Sequence, residues 1–172
     1  MKKIISGREM DSLVKELTTC IEKNIGRKDV VIVGIKRRGA VLADRVKKCL
    51  AKKDIPVGYL DIAFYRDDFS TVGAHPVVSE TDVLFNIDGK NVLLVDDVLF
   101  TGRTVRAALD AITDMGRPAS VKLVVLIDRG HRELPISADF IGMSLKTKKT
   151  EMVEVRLKEI DGADEVLVVN KK

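Results

Sequence analysis

The chain has 172 residues, enough for one domain with a buried core and too few for several domains. A composition of 45% hydrophobic and 33% charged residues argues against wholesale disorder. No apolar run approaches the roughly 20 residues that span a bilayer, and the first residues lack the apolar stretch of a signal peptide. The net charge of +4 suits an anionic ligand and permits a nucleic-acid partner without demanding one.

The first half of the chain alternates predicted helices and strands. Helical spacing of apolar residues predicts an amphipathic helix at the start, and a continuous apolar run predicts a strand over 30–35. A basic turn at 36–39 then leads into a helix that runs to about Lys52, and a second strand follows over 57–65. Residues 66–90 are polar and irregular, and a connection of that length is usually mobile and functional.

The second half continues the alternation. A buried strand and a helix that ends near Gly116 are followed by another buried strand over 121–127 and an irregular stretch over 129–138. Two alternating strands, 153–157 and 166–169, flank a turn. We therefore predict a single α/β domain over 1–172, with a mainly parallel sheet covered by helices on both faces.

The cysteines and histidines indicate neither disulfides nor zinc. Cys20 and Cys49 both fall on apolar helix faces, which predicts buried thiols in a cytoplasmic protein. His75 and His131 stand alone, without the cluster that zinc requires.

Residues 92–104 are the most informative segment. Four apolar residues predict a strand that ends at Asp96 and Asp97, and a hydroxyl- and glycine-containing turn over 101–104 opens the next helix. Unpaired backbone N–H groups at a helix start bind anions such as phosphate. Carboxylates beside a phosphate would repel it unless they hold sugar hydroxyls or a metal, so the segment predicts a phosphorylated sugar as ligand. The alternative is an acidic turn before a capped helix, since an N-terminal threonine needs no function.

Two other loops follow predicted strands. The basic turn at 36–39 predicts a second anion site, although such a turn can also be merely solvated. The loop over 128–133 can be merely a charged loop, in which a lone His131 is more often a hydrogen-bonding residue than a catalyst. Since ligands of parallel sheets bind at the carboxyl ends of the strands, we expect these loops and 96–104 to meet around one crevice.

The segment 92–104 resembles the thirteen-residue phosphoribosyl-diphosphate motif of type I phosphoribosyltransferases. With four further stretches, the chain resembles the PyrR family over residues 30–160. Those proteins are pyrimidine-operon regulators that are also uracil phosphoribosyltransferases. The four stretches are Ile-Val-Gly-Ile-Lys-Arg-Arg-Gly (32–39), Tyr-Arg-Asp-Asp-Phe (65–69), Asp-Arg-Gly-His-Arg-Glu-Leu-Pro-Ile (128–136) and Ala-Asp-Phe-Ile-Gly (138–142).

The resemblance implies a type I phosphoribosyltransferase fold with a small hood, formed mainly by residues 129–172 and the N-terminus. It implies that Asp96 and Asp97 are catalytic and engage the ribose hydroxyls, directly or through water bound to Mg²⁺. The implied 5′-phosphate residues are Val98, Leu99, Phe100, Thr101, Gly102, Arg103 and Thr104. The implied diphosphate residues are Lys36, Arg37, Arg38 and Gly39. The implied base-binding residues are Arg129, the backbone near Ile141, and Phe140, which would stack on the ring.

The implied reaction joins uracil to phosphoribosyl diphosphate and gives UMP and diphosphate, with Mg²⁺ bound alongside the sugar diphosphate. The implied second function is a UMP-responsive control of pyrimidine-operon mRNA by attenuation, in a homodimer or larger homo-oligomer without membrane association. Alternatives are a regulator with little catalytic activity, an enzyme that has lost RNA binding, and a purine phosphoribosyltransferase. Phe100 argues against purines, because purine-handling relatives carry an acid at that position.

Three departures from the family pattern concern activity and RNA. Arg37 stands where the family usually has threonine, and no lysine or arginine occurs between Asp67 and Asp88. The first helix lacks the Thr-Arg-x-x-His pattern of RNA-binding members, and the corresponding segment reads Val14-Lys15-Glu16-Leu17-Thr18.

Overall fold

The computed structural model describes residues 1–26, 28–52, 54–65 and 81–170. Its larger sheet has five strands, all parallel to their neighbours. In spatial order they are β3 (Val57–Leu60), β2 (Val30–Ile35), β4 (Asn91–Leu99), β5 (Ser120–Asp128) and β6 (Phe140–Ser144).

Helices cover both faces of this sheet. The helices α1 (Gly7–Asn24) and α2 (Arg38–Cys49) pack on one face, and α3 (Arg103–Met115) packs on the other. Successive strand residues point to opposite faces, so Ile32 joins the core beneath α1 and α2 while Val31 joins the core beneath α3. The predicted α/β class with a parallel sheet is therefore confirmed.

A smaller antiparallel sheet lies in the region expected for the hood, and we call it the hood. It contains β1 (Lys2–Ile5), β8 (Glu165–Asn170) and β7 (Glu151–Arg156), and a short helix, α4 (Lys158–Asp161), follows β7. Apolar hood residues such as Val155 and Leu157 are buried in the same core as α1 and α2, so the hood packs on that side of the larger sheet. Residues 140–144, within the range expected for the hood, instead extend the larger sheet as β6.

Several element boundaries differ from prediction. The strand predicted over 57–65 stops at Leu60, because the Asp61 carboxylate accepts the Ala63 N–H at 2.8 Å and turns the chain into a 3₁₀ turn over Ala63–Tyr65. The short strands β1 and β6 were not predicted, since four or five residues carry little periodic signal.

The prediction of buried cysteines was wrong. Both thiols are exposed. Cys20 lies just outside the buried stripe of α1, and Cys49 is the last residue of α2. Within the described part of the chain, no helix has the length and apolar character needed to cross a membrane. Most of the long polar connection, residues 66–80, lies outside the described residues.

Candidate active site

A crevice of about 320 Å³ lies at the carboxyl ends of the central parallel strands. The basic turn after β2 and the acidic part of β4 meet there, as the sequence predicted, and the segment after β3 joins them. The lining residues are Ile35–Arg38, Asp61–Ala63, Asp96–Val98 and Thr104.

The acidic pair lies within β4 rather than after it. Strand β2 pairs with β4 only as far as Val95, whereas β5 continues to pair with β4 up to Leu99. Asp96 and Asp97 therefore occupy a stretch of β4 whose β2 side is open toward the crevice. Pairing with β5 on the other side keeps this stretch in the extended conformation of the strand.

Burial dominates the electrostatics of this pair. Asp96 is 6% exposed, and burial together with the nearby charge of Asp97 raises its pKa well above the ordinary value. Burial also raises the pKa of Asp97, partly offset by a hydrogen bond from Asp96 and by the positive charge of Arg38. A cation or a polarised hydroxyl group that enters the crevice would stabilise this pair, because either one favours the ionised carboxylates.

The basic turn is pressed closely against the acidic strand. A Cβ atom at Gly39 would overlap the carbonyl oxygen of Val95 and would lie 3.1 Å from the Cα atom of Asp96. Glycine is therefore required for α2 to begin beside β4. The Lys36–Arg37 peptide bond is cis, Arg37 is exposed, and Arg38 lines the crevice.

The predicted phosphate loop is shorter than 98–104. Val98 and Leu99 belong to β4; the Leu99 side chain is in the core and its carbonyl oxygen accepts the Arg129 N–H at 3.1 Å. The Leu99 side chain therefore does not face the crevice. Gly102 adopts a φ of 93°, a left-handed conformation that favours glycine, and α3 begins at the next residue. The N–H groups of the first turn of α3, which have no acceptor within the helix, face this end of the site.

The loop over 128–133 braces the phosphate loop from the other side. Arg132 Nη1 donates to the Phe100 carbonyl oxygen at 2.8 Å, and the Glu133 N–H donates to that of Thr101 at 2.9 Å. The Arg103 side chain pairs with Glu133 at 2.8 Å. The loop over 128–133 therefore contacts the loop over 96–104, and the acidic end of 96–104 lies next to the basic turn in the crevice.

Arg129 connects the phosphate loop to the hood. Its guanidinium lies 4.0 Å from the centroid of the Phe100 ring and donates to the carbonyl oxygens of Lys148 at 3.2 Å and Glu151 at 2.6 Å. The residue is only 4% exposed. His131 supports the same segment through a 2.6 Å hydrogen bond between Nε2 and the Thr147 carbonyl oxygen. Residues 147–151, which we call the hood segment, are therefore held above Phe100.

Phe140 and Ile141, which were expected to contact the base, lie away from the crevice. Phe140 is 7% exposed and packs in the core, and its register partner on β5 is Val124. The site edge of β5 is Asp128, four residues further along, which is about 13 Å at about 3.3 Å per residue. The strand direction therefore carries both residues away from the crevice.

Asp61 is a site residue that the sequence analysis missed. It follows the end of β3 directly and lines the crevice opposite Asp96 and Asp97. Its place after an apolar strand is the same signal that identified Asp96, but the predicted strand ran past it to residue 65.

Within residues 1–26, 28–52, 54–65 and 81–170, no group of three or more His, Cys, Asp or Glu side chains is placed to hold a metal ion by itself. Carboxylate oxygens are nevertheless the ligands that Mg²⁺ prefers, usually together with oxygens of a phosphorylated substrate. The Asp96–Asp97 pair therefore fits an ion that is shared with a bound sugar diphosphate.

Comparison with known proteins agrees with this architecture. The phosphoribosyl transferase domain family matches residues 2–160. Bifunctional protein PyrR of Chloroflexus aurantiacus is 55% identical over 172 residues, covering 98% of this chain and 94% of that protein. Bifunctional protein PyrR of Thermus aquaticus is 50% identical over 155 residues, covering 88% and 86%.

Solved structures show the same fold. A hypoxanthine phosphoribosyltransferase from Staphylococcus aureus superposes with a TM-score of 0.73 over 96% of this chain and 90% of that one, at 20% identity. The hypoxanthine phosphoribosyltransferase of Trypanosoma cruzi gives 0.71 over 100% and 98%, at 19% identity. The chain therefore belongs to the phosphoribosyltransferase family and, among its members, to the bifunctional PyrR proteins.

Proposed function

We propose that the chain transfers a phosphoribosyl group from phosphoribosyl diphosphate to uracil, and that the UMP formed controls its binding to pyrimidine-operon mRNA. One observation carries the catalytic part. A carboxylate pair, a basic turn and a helix N-terminus converge on one crevice at the ends of parallel strands. These three groups match the ribose hydroxyls, the diphosphate and the 5′-phosphate of a single substrate.

The reaction breaks the bond between ribose C1 and the diphosphate oxygen and forms a bond from C1 to uracil N1. As the first bond weakens, positive charge develops on the sugar, and Asp96 and Asp97 stabilise it from the hydroxyl side. Arg38 and Lys36 balance the negative charge that gathers on the departing diphosphate. The first turn of α3, with Thr104, holds the 5′-phosphate and fixes C1 relative to the base.

Mg²⁺ bound between the acidic pair and the sugar diphosphate would supply further neutralisation of the diphosphate charge. Asp96 and Asp97 are the residues that would hold it, directly or through water. Their placement on a rigid strand, rather than on a loop, keeps this arrangement in register with the basic turn.

Uracil is expected beneath the hood segment rather than beside Phe140. Backbone groups of residues 147–151 lie close to Phe100, and Arg129 holds them there. Arg129 then acts on the base by positioning these backbone groups. An uncharged ring at Phe100 offers no acid to a purine, which favours a pyrimidine.

The test is UMP formation from uracil and phosphoribosyl diphosphate in the presence of Mg²⁺, with a panel of pyrimidines and purines. We expect turnover with uracil and loss of most of it in Asp97→Asn, which should keep its thermal stability. Absence of turnover with every base, by a protein that is folded, would refute the enzymatic proposal. Turnover with hypoxanthine or guanine alone would assign it to purines.

The regulatory part of the proposal places RNA on the hood rather than on α1. Val14 and Thr18 are 4% and 2% exposed, and the Thr18 hydroxyl donates to the Val14 carbonyl oxygen at 2.8 Å. These side chains face the core and are not placed to contact a transcript. Three exposed lysines lie in or directly beside the hood segment, where Arg129 contacts the backbone. They are Lys146, Lys148 and Lys149.

Binding of the leader RNA of the chain's own pyrimidine operon, with and without UMP across a salt series, tests this part. We expect UMP to raise the affinity, and alanine at the three hood lysines to abolish specific binding. A charge-matched control replaces three exposed lysines at the opposite edge of the sheet: Lys23, Lys28 and Lys52. An RNA affinity that depends on neither the RNA sequence nor UMP would indicate only nonspecific electrostatic attraction, and it would refute the regulatory proposal.

A further inference from the structure

The guanidinium of Arg38 is held by the hood. Arg38 Nη2 lies 2.8 Å from Asp161 Oδ1, and Arg38 Nε lies 3.3 Å from Asp161 Oδ2. Arg38 is the first residue of α2 and Asp161 is the last residue of α4, 123 positions later. Two parallel hydrogen bonds to one carboxylate fix the plane of a guanidinium as well as its position.

Asp161 is itself anchored. Its Oδ2 accepts the N–H of Leu157 at 2.9 Å, and Leu157 is fully buried in the core. The Leu157 N–H and the Arg38 guanidinium both lower the pKa of Asp161, so the carboxylate is charged whenever the protein is folded near neutral pH. The acid therefore forms a rigid support that reaches from the hood core to Arg38.

The other side of Arg38 faces the crevice. Arg38 lines it, and its charge acts on the carboxyl of Asp97. A guanidinium has five N–H donors, and the contact with Asp161 occupies two of them. The remaining edge can donate to a ligand in the crevice without releasing Asp161.

We infer that Asp161 is a positioning residue, which holds the Arg38 guanidinium in the orientation that receives the diphosphate and so couples the hood to the basic turn. This inference rests on the proposed function, because it concerns how the substrate of that reaction is held. Nothing in the sequence near Asp161 resembles a site motif, so only the folded contact identifies it.

The hood offers a matched control for a merely structural role. Arg45 of α2 pairs with Asp164 at 2.6 Å, and Asp164 also accepts the Lys158 N–H at 2.9 Å. Like the Arg38–Asp161 pair, this contact joins a guanidinium of α2 to a carboxylate that also accepts a backbone N–H, although Arg45 pairs with Glu159 as well. It lies seven residues further along α2, about 10.5 Å at about 1.5 Å per residue. It joins α2 to the turn between α4 and β8, and neither Arg45 nor Asp164 lines the crevice.

The experiment compares Asp161→Asn with Asp164→Asn by thermal unfolding, steady-state kinetics and direct binding of inorganic diphosphate with Mg²⁺. We expect similar small losses of melting temperature in both variants. Asp161→Asn alone should raise KM for phosphoribosyl diphosphate and Kd for diphosphate by at least about tenfold, because hydrogen bonds to charged groups are lost. KM for uracil should not change, and Asp161→Glu should recover most of the diphosphate affinity.

A double-mutant cycle with Arg38→Ala decides whether Asp161 acts through Arg38. The effect of Asp161→Asn on diphosphate binding should vanish in the Arg38→Ala background. An effect of full size there, or equal effects of Asp161→Asn and Asp164→Asn, would overturn the inference. A wild-type protein that binds diphosphate but forms no UMP would refute the proposed reaction and leave the role of Asp161 intact. One that forms UMP but binds no diphosphate would overturn the role of Asp161 and leave the proposed reaction intact.

Discussion

Gly34→Ala is the change that best tests the packing beneath the crevice. Gly34 lies in β2, and a Cβ atom there would be 2.6 Å from the Cα atom of Ala40 and 2.6 Å from the carbonyl oxygen of Gly39. Ordinary carbon–carbon contacts are no closer than about 3.5 Å, so the overlap is about 0.9 Å. Both contacted atoms belong to the backbone, and β2 is paired with a strand on each side. The start of α2 must therefore move away from β2.

The magnitude follows from that displacement. Overpacking of this kind costs about 1–3 kcal/mol, and for a domain of this size each kcal/mol lowers the melting temperature by about 2–4 °C. We therefore expect Gly34→Ala to melt roughly 2–12 °C lower than wild type. Because a misplacement of about 1 Å can cost about 100-fold in rate, and because α2 carries Arg38, turnover should fall further than stability alone explains.

Thermal unfolding and UMP formation measure the two effects, and Gly26→Ala is the matched control. A Cβ atom at Gly26 would meet nothing within 4 Å, so this variant should melt at or slightly above the wild-type temperature with full activity. Wild-type melting of Gly34→Ala would refute the packing argument. A lower melting temperature with unchanged turnover would refute the placement of the basic turn in the site.

Two further predictions concern buried charges. Since burial raises the pKa of Asp96, the folded chain binds a proton that the unfolded chain has lost, and stability falls as pH rises above the ordinary aspartate pKa of about 3.9. Asp96→Asn should therefore be more stable than wild type at neutral pH in urea unfolding, with the advantage shrinking toward pH 4; a constant difference would contradict this. Arg129→Ala should lower the melting temperature and raise KM for uracil more than KM for phosphoribosyl diphosphate, because it releases the carbonyl oxygens of Lys148 and Glu151. Equal rises in both KM values would contradict the placement of the base beneath the hood segment.

The features that the sequence predicted correctly are local. A continuous apolar run specified β2, and helical spacing specified α1 and α3, because burial on a face depends only on neighbours a few positions away. The meeting of the basic turn with Asp96 and Asp97 also followed, since parallel strands bring their carboxyl ends to one edge.

The tertiary structure decided what lies between distant segments. The family resemblance implies that Phe140 stacks on the base, but its register with Val124 buries it in the core. Arg129, at the end of β5, contacts the hood segment that follows β6, and Arg38 contacts Asp161 across 123 positions of chain. No periodicity encodes such contacts, because a side chain's partner depends on how whole elements pack. The chain's local pattern therefore determined which groups could bind a phosphorylated sugar, and packing of the hood determined which of them are held in place to do so.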